Sequence, residues 1–160
     1  MNIRKSNLND VDEILRIYDI ARKFMRENGN KTQWEIHPNK DDLINDINKN
    51  INYVLYEDNI IYATFSFFIG MEETYNIIYD GSWVNDKEYG VLHKVASARI
   101  KNDMMKYILD FAFEKINNIK IDTHKDNKVM QHILEKNDFI KCGIIILNDE
   151  TERIAYQKCI

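Results

Sequence analysis

Two hydrophobic periods alternate along the chain. Val11, Ile14, Leu15, Tyr18, Ala21 and Met25 recur every three or four positions, which predicts an amphipathic helix. Leu43, Ile44 and Ile47 repeat that spacing over a second, shorter helix. The stretch "NYVLYEDNIIYATFSFFIG" is instead β-rich on both sides of Asp58 and Asn59, the mark of a hairpin. "YGVLHKVASA" continues as a strand and feeds a helix over about residues 103–116, with Met104, Ile108, Leu109, Ala112 and Ile116 inward. "NIKIDTH" is strand-like, and Val129, Met130, Ile133 and Leu134 mark a fourth helix. "DFIKCGIIIL", the turn "NDET" and "ERIAYQKC" predict a final antiparallel pair. With "NIRKS" as a first strand, the order is β-α-α-β-β-β-α-β-α-β-β.

Polar residues set the boundaries. Asn9 or Asp10 suits the cap of the first helix, Pro38 and Asn39 open the second, and Asp126 caps the fourth. Strands joined by tight turns should pair antiparallel, and those joined through helices should run parallel by a right-handed crossover. The expected architecture is α/β (α+β): a mixed, mainly antiparallel twisted sheet flanked by helices on both faces, forming one domain over residues 1–160.

Composition narrows the function. A net charge of −4 leaves no basic footprint for nucleic acid, and no Lys/Arg cluster suits a membrane surface. No apolar run approaches the ~20 residues that span a bilayer, and acids interrupt the first apolar stretch, so neither a membrane span nor a signal peptide is expected. Cys142 and Cys159 stand apart without metal-ligand spacing, as expected of a cytoplasmic protein. His124 and Asp126 lack a third spaced ligand, so no metal is expected. Only five glycines are present, and none lies between Gly90 and Gly143, which excludes a glycine-rich loop.

The element order and three local sequences together resemble the GNAT superfamily of acyl-CoA-dependent N-acyltransferases. These are "YGVLHKVAS" feeding a helix, "IKIDTHKDNKVMQHILEKNDFIKCGI", and the terminal hairpin finishing in "AYQK". The resemblance covers nearly the whole chain. It implies acetyl-CoA as co-substrate and a small primary amine as acceptor, attacked directly in a ternary complex. The acyl-CoA arm would lie along His93, Lys94, Val95 and Ala96, with the backbone N–H of Val95 or a neighbour serving the oxyanion. The pyrophosphate would rest on the helix start, among Arg99, Lys101, Asn102, Asp103, Met104 and Met105, and Asn127 would touch the arm. The family's loop pattern, Gln or Arg, two residues, Gly, one residue, Gly or Ala, falls on Ile100, Asp103 and Met105, and all three depart from it. Asp103 brings a negative charge to that corner, unless it turns outward to pair with Lys106. The family's Tyr on the helix after the Asn is Leu134 here, and the Gly of its "GF" ending is Asp138.

Residues for chemistry must then come from elsewhere. His93 and His124 are candidate bases, since a histidine beside a carboxylate titrates near neutrality, and "THKDN" adds Asp122 and Asp126. Tyr156 on the last strand is the candidate acid. Trp34 and Trp83 in loops would wall the acceptor pocket, with Asp126 on its substrate side. Taken singly, His93 reads first as a satisfied sheet histidine, and Asn127 reads equally as a capping residue. Cys142 reads as structural. The apolar strand "CGIIIL" allows a homodimer through its edge. The lost glycines keep open a second reading, a non-catalytic GNAT-like domain that binds a ligand or partner.

Overall fold

In the computed structural model, which describes residues 1–160, the strands and helices follow the predicted order. They are β1 (Asn2–Lys5), α1 (Val11–Glu27), α2 (Lys40–Asn48), β2 (Asn52–Glu57), β3 (Ile60–Ile69), β4 (Gly90–Ser97), α3 (Met104–Lys115), β5 (Asn118–Thr123), α4 (Lys128–Lys136), β6 (Ile140–Ile146) and β7 (Glu152–Cys159). Short 3-10 turns at Leu8–Asp10 and Glu73–Tyr75 complete the set. No helix is long and apolar enough to cross a membrane.

The caps shift by one or two residues from those expected. Asn7, not Asn9 or Asp10, caps the turn that leads into α1: its side chain accepts from the N–H of Asn9, and the Asp10 carboxylate accepts from the N–H of Asn7. Asp10 also holds Arg4 of β1 through bonds of 2.7 and 2.9 Å, so its carboxylate serves the strand as well as the cap. Asn39 caps α2 by a reciprocal pair with Asp42, and Pro38 stays outside the helix. Asn127, not Asp126, caps α4. At the β2–β3 hairpin, Asp58 and Asn59 both take positive φ (51° and 68°), the geometry a two-residue turn needs to match strand twist.

The sheet has seven strands in the order β1-β2-β3-β4-β5-β7-β6. Among paired neighbours only β4 and β5 run parallel. The expectation that helix-linked strands pair parallel fails at β1 and β2, which are antiparallel. Two helices in the connection, instead of one, return the chain at the far end of β1. After β5 the helix-linked strands β5 and β6 do run parallel, with β7 inserted between them and antiparallel to both.

Each face of the sheet buries its own core. α1 and α2 place Ile14, Ile17, Tyr18 and Leu43 against Val54 and Ala96. α3 and α4 place Ile108, Leu109, Ala112 and Leu134 against Phe65, Leu92, Ile119, Ile121 and Tyr156. The connection between β3 and β4 closes a third, smaller cluster of Tyr75, Val91, Ile145 and Ala155. That cluster borders the site.

Candidate active site

β4 contains a bulge where the sheet divides. Ser66 faces His93 and Thr64 faces Ala96, so Lys94 and Val95 together oppose Phe65 alone. An extra residue of this kind bends its strand and disrupts the ladder. Lys94 takes φ 54°, a left-handed conformation uncommon for any residue but glycine. Its ammonium is tied down: Nζ donates to Asp46 Oδ2 of α2 at 2.6 Å, and Ser66 Oγ donates to the same oxygen at 2.8 Å. Asn52 bonds Ser66 Oγ, and Ser6 bonds Asn52, so four elements converge on the bulge. On its other edge β4 pairs with β5 only at Gly90–Ile119 and Val91–Lys120. Beyond those residues the strands part.

A cleft of about 670 Å³ opens at this split. Its floor is His93, Lys94 and Val95 of β4 with Ile121, Asp122 and Thr123 of β5. The α1–α2 loop around Trp34 forms one wall, and the β6–β7 loop with Arg153 forms another. A second cavity, about 510 Å³ beside Glu114, Asn117 and Cys159, lies at the opposite end of β5 and holds none of these groups.

The predicted site residues separate on inspection of their partners. His93 lines the cleft, and its Nε2 is buried without a hydrogen-bond partner. Burial and the adjacent Lys94 push its pKa down to about 4, so the ring is neutral near pH 7 but a weak base. His124 also lines the cleft, with both ring nitrogens engaged. Nδ1 accepts from the N–H of Asp126 at 3.0 Å, which puts the proton of the neutral ring on Nε2, 3.1 Å from Thr32 Oγ1. Burial, with Arg153 nearby, lowers its pKa. His124 therefore has no lone pair free for a substrate.

Tyr156 is corrected outright. It is fully buried on the α3–α4 face, away from the cleft, with its hydroxyl 3.3 Å from Glu135 Oε1. Burial and that carboxylate push its pKa up to about 12. Trp83 is corrected too: it is not part of the cleft lining but packs against the Tyr75 cluster and donates from Nε1 to the Tyr75 carbonyl at 2.8 Å. Trp34 does line the cleft, edge-on to Tyr18 at 5.4 Å. Asp126 gives its backbone N–H to His124, and its carboxylate lies 3.7 Å from that ring, so it orients His124 and stands outside the cleft lining. Asn127 uses Oδ1 to cap Met130 N–H and Nδ2 to bond Gln33, so its side-chain amide is committed to the scaffold. Cys142 is buried, and burial raises its thiol pKa, which makes it inert.

Sequence reasoning missed Tyr75. From the 3-10 turn after β3, its hydroxyl donates to Asp122 Oδ2 at 2.7 Å on the cleft floor. Tyr75 is packed against Trp83 and Tyr89, whose rings in turn hold the buried ammonium of Lys120 at 4.1 and 3.9 Å. Nothing in the local pattern around "EETYN" marks this role, because the contact spans 47 residues.

Comparison with solved structures decides the family. A GNAT-family acetyltransferase from Streptococcus agalactiae 2603 is 30% identical, with 99% of this chain and 95% of that one covered and a TM-score of 0.90. The chain belongs to the GNAT family of acetyltransferases. A GNAT-family acetyltransferase from Listeria monocytogenes 4b F2365 (14% identity, 99% and 94% covered, TM-score 0.73) shares the fold. So does a ribosomal-protein-alanine N-acetyltransferase from Brucella melitensis (14% identity, both chains fully covered, TM-score 0.60). No protein-family model and no curated protein matches the chain.

The corner between β4 and α3, where GNAT proteins carry glycines, keeps a left-handed backbone without them. Arg99 takes φ 62° and Asp103 φ 64°, which costs roughly 1–2 kcal/mol for a residue with a Cβ, less for Asp than for most. No side chain caps α3, although the N–H of Lys106 is spent on the Asp103 carbonyl at 3.2 Å. Several residues expected to meet a phosphate do other things. Met104 and Met105 bury their side chains in the core, leaving only their backbone to face the corner. Arg99 stacks on Phe24 with its guanidinium 3.6 Å from the ring centroid, and Lys101 reaches Glu57 at 3.8 Å. Asp103 is exposed and forms no ion pair with Lys106.

Proposed function

We propose that this GNAT protein is an acetyl-CoA-dependent N-acetyltransferase acting on a small primary amine, by direct attack within a ternary complex. The observation that carries the reading is the split between β4 and β5, opened by the bulge at Lys94 and Val95 onto the cleft. When bound, acetyl-CoA supplies the activated acetyl thioester. The unpaired edge of His93–Ala96 offers backbone groups to its pantetheine arm, and the Val95 N–H or a neighbour faces the developing oxyanion. The uncapped start of α3 offers N–H groups to the pyrophosphate. Trp34 and the β6–β7 loop enclose the amine and shed water from the split.

Release of free thiol from acetyl-CoA across a panel of primary amines tests this reading. Amine-dependent release is expected. Tight acetyl-CoA binding with no release from any amine would contradict it and favour a binding-only domain.

The glycine-free corner makes a second prediction. Asp103→Gly removes a carboxylate near the expected pyrophosphate, where repulsion is about 1–4 kcal/mol at ~4 Å. Acetyl-CoA should bind roughly tenfold tighter by calorimetric titration at low salt, with a smaller gain at high salt. Equal affinities for variant and wild type would show that the anion does not approach residue 103.

A further inference from the structure

Strand parity brings two residues to the mouth of the split. Val91 pairs with Lys120, so the next residues on the same face are His93 of β4 and Asp122 of β5, across the gap where pairing has stopped. Among the groups there, Asp122 has a free valence suited to a proton. Oδ2 accepts from Tyr75, while Oδ1 accepts no hydrogen bond and Asp122 lines the cleft. His93 Nε2 is buried away from solvent, His124 has both nitrogens engaged, and Tyr156 lies on the other face. Glu72, also in the cleft, engages the N–H and hydroxyl of Thr74 through Oε1 alone, but it stands on the β3–β4 connection and not across the split from His93.

We propose that Asp122 is the general base that takes a proton from the acceptor ammonium, and that Tyr75 is the positioning residue that aims its carboxylate. The assignment rests on the transferase reading above. Asp122 Oδ1 accepts one ammonium proton, and the freed nitrogen lone pair forms the C–N bond at the thioester carbonyl. The C–S bond then breaks, its electrons leave on sulfur, and the second nitrogen proton ends on the thiol. Asp122 returns its proton to solvent.

The environment supports the role. Burial raises the Asp122 pKa above the ordinary carboxylate value, against the opposing pull of the Tyr75 hydrogen bond and the nearby Arg153 of β7; Glu72 adds to the rise. A base closer to neutrality is more effective while remaining ionised. Tyr75 is held in place by Trp83, which bonds its carbonyl and packs on its ring. Burial and the Asp122 charge raise the tyrosine's own pKa far above its ordinary value, so it stays a donor throughout.

The test is steady-state kinetics against pH on the full chain with acetyl-CoA and the best amine from the panel. Asp122→Asn should lose about 100-fold or more in kcat and lose the acidic limb of the kcat/KM profile, with acetyl-CoA affinity unchanged. Tyr75→Phe removes a bond that lowers the base's pKa, so the acidic limb should move to higher pH, a shift that a merely structural residue would not cause. That variant keeps the proposal testable even where Asp122→Asn folds poorly. Asp122→Asn within about threefold of wild-type kcat, or Tyr75→Phe with an unmoved limb, overturns the assignment and leaves the transferase reading standing. A wild type that binds acetyl-CoA and acetylates no amine overturns both.

Discussion

Replacing Asp46 by alanine is expected to destabilise the protein by about 3 kcal/mol. Asp46 is 4% exposed and is the anchor for Lys94 Nζ at 2.6 Å and for Ser66 Oγ at 2.8 Å. Removing it strands a partly buried ammonium and an unsatisfied hydroxyl, and breaking such a pair costs more than the pair itself contributes. The Lys94 side chain retains 23% exposure, which places the loss at the lower end of the usual range. The loss should also be felt at the site, because Lys94 sits in the bulge that parts β4 from β5. Urea unfolding measures the stability, and acetyl-CoA titration measures the site. The double variant Asp46→Ala, Lys94→Met should regain much of the stability, since no charge is then left unpaired. A double variant as unstable as the single one would show that the ion pair is not the cause.

Acid should weaken the fold through His93. Its pKa is about 4 in the folded protein against an ordinary 6.5, because burial and Lys94 oppose the charged ring. Between those values the unfolded chain binds a proton that the native state refuses. Stability is therefore full above pH 6.5 and falls as pH drops towards 4, by about 2 kcal/mol between pH 7 and pH 5. His124, also lowered by burial, acts in the same direction, so the histidine of interest is isolated by comparison. His93→Leu should flatten the pH dependence of unfolding free energy by about that 2 kcal/mol. An unchanged slope in the variant would mean that the ring is protonated in the native state.

The helices and the hairpins were legible because each buries one face, and burial on one face imposes a period. The register at the split was not legible. A bulge at Lys94 and Val95 carries no glycine, and the ammonium that holds it finds its partner 48 residues away on α2. The antiparallel β1–β2 pair follows from the two helices between them, a count that strand periodicity does not carry. The place of Tyr156 depends on the β5–β7 register, and its side chain packs on the α3–α4 face. Tyr156 pairs with Ile121 and Ala155 with Asp122. Asn127 suits both an arm contact and a cap on sequence alone, and its Oδ1 makes the bond of a cap. Tyr75 and Asp122 had no sequence signal as a pair. Their contact exists only once the β3–β4 connection folds back over β5.

The structure of the protein with acetyl-CoA tests the central claim most directly. The arm should run along the open edge of His93–Ala96, with the thioester at the split beside Asp122 and the phosphates at the start of α3. Acetyl-CoA bound elsewhere, or β4 and β5 zipped together beyond Val91 and Lys120 so that the groove is closed, would contradict the account.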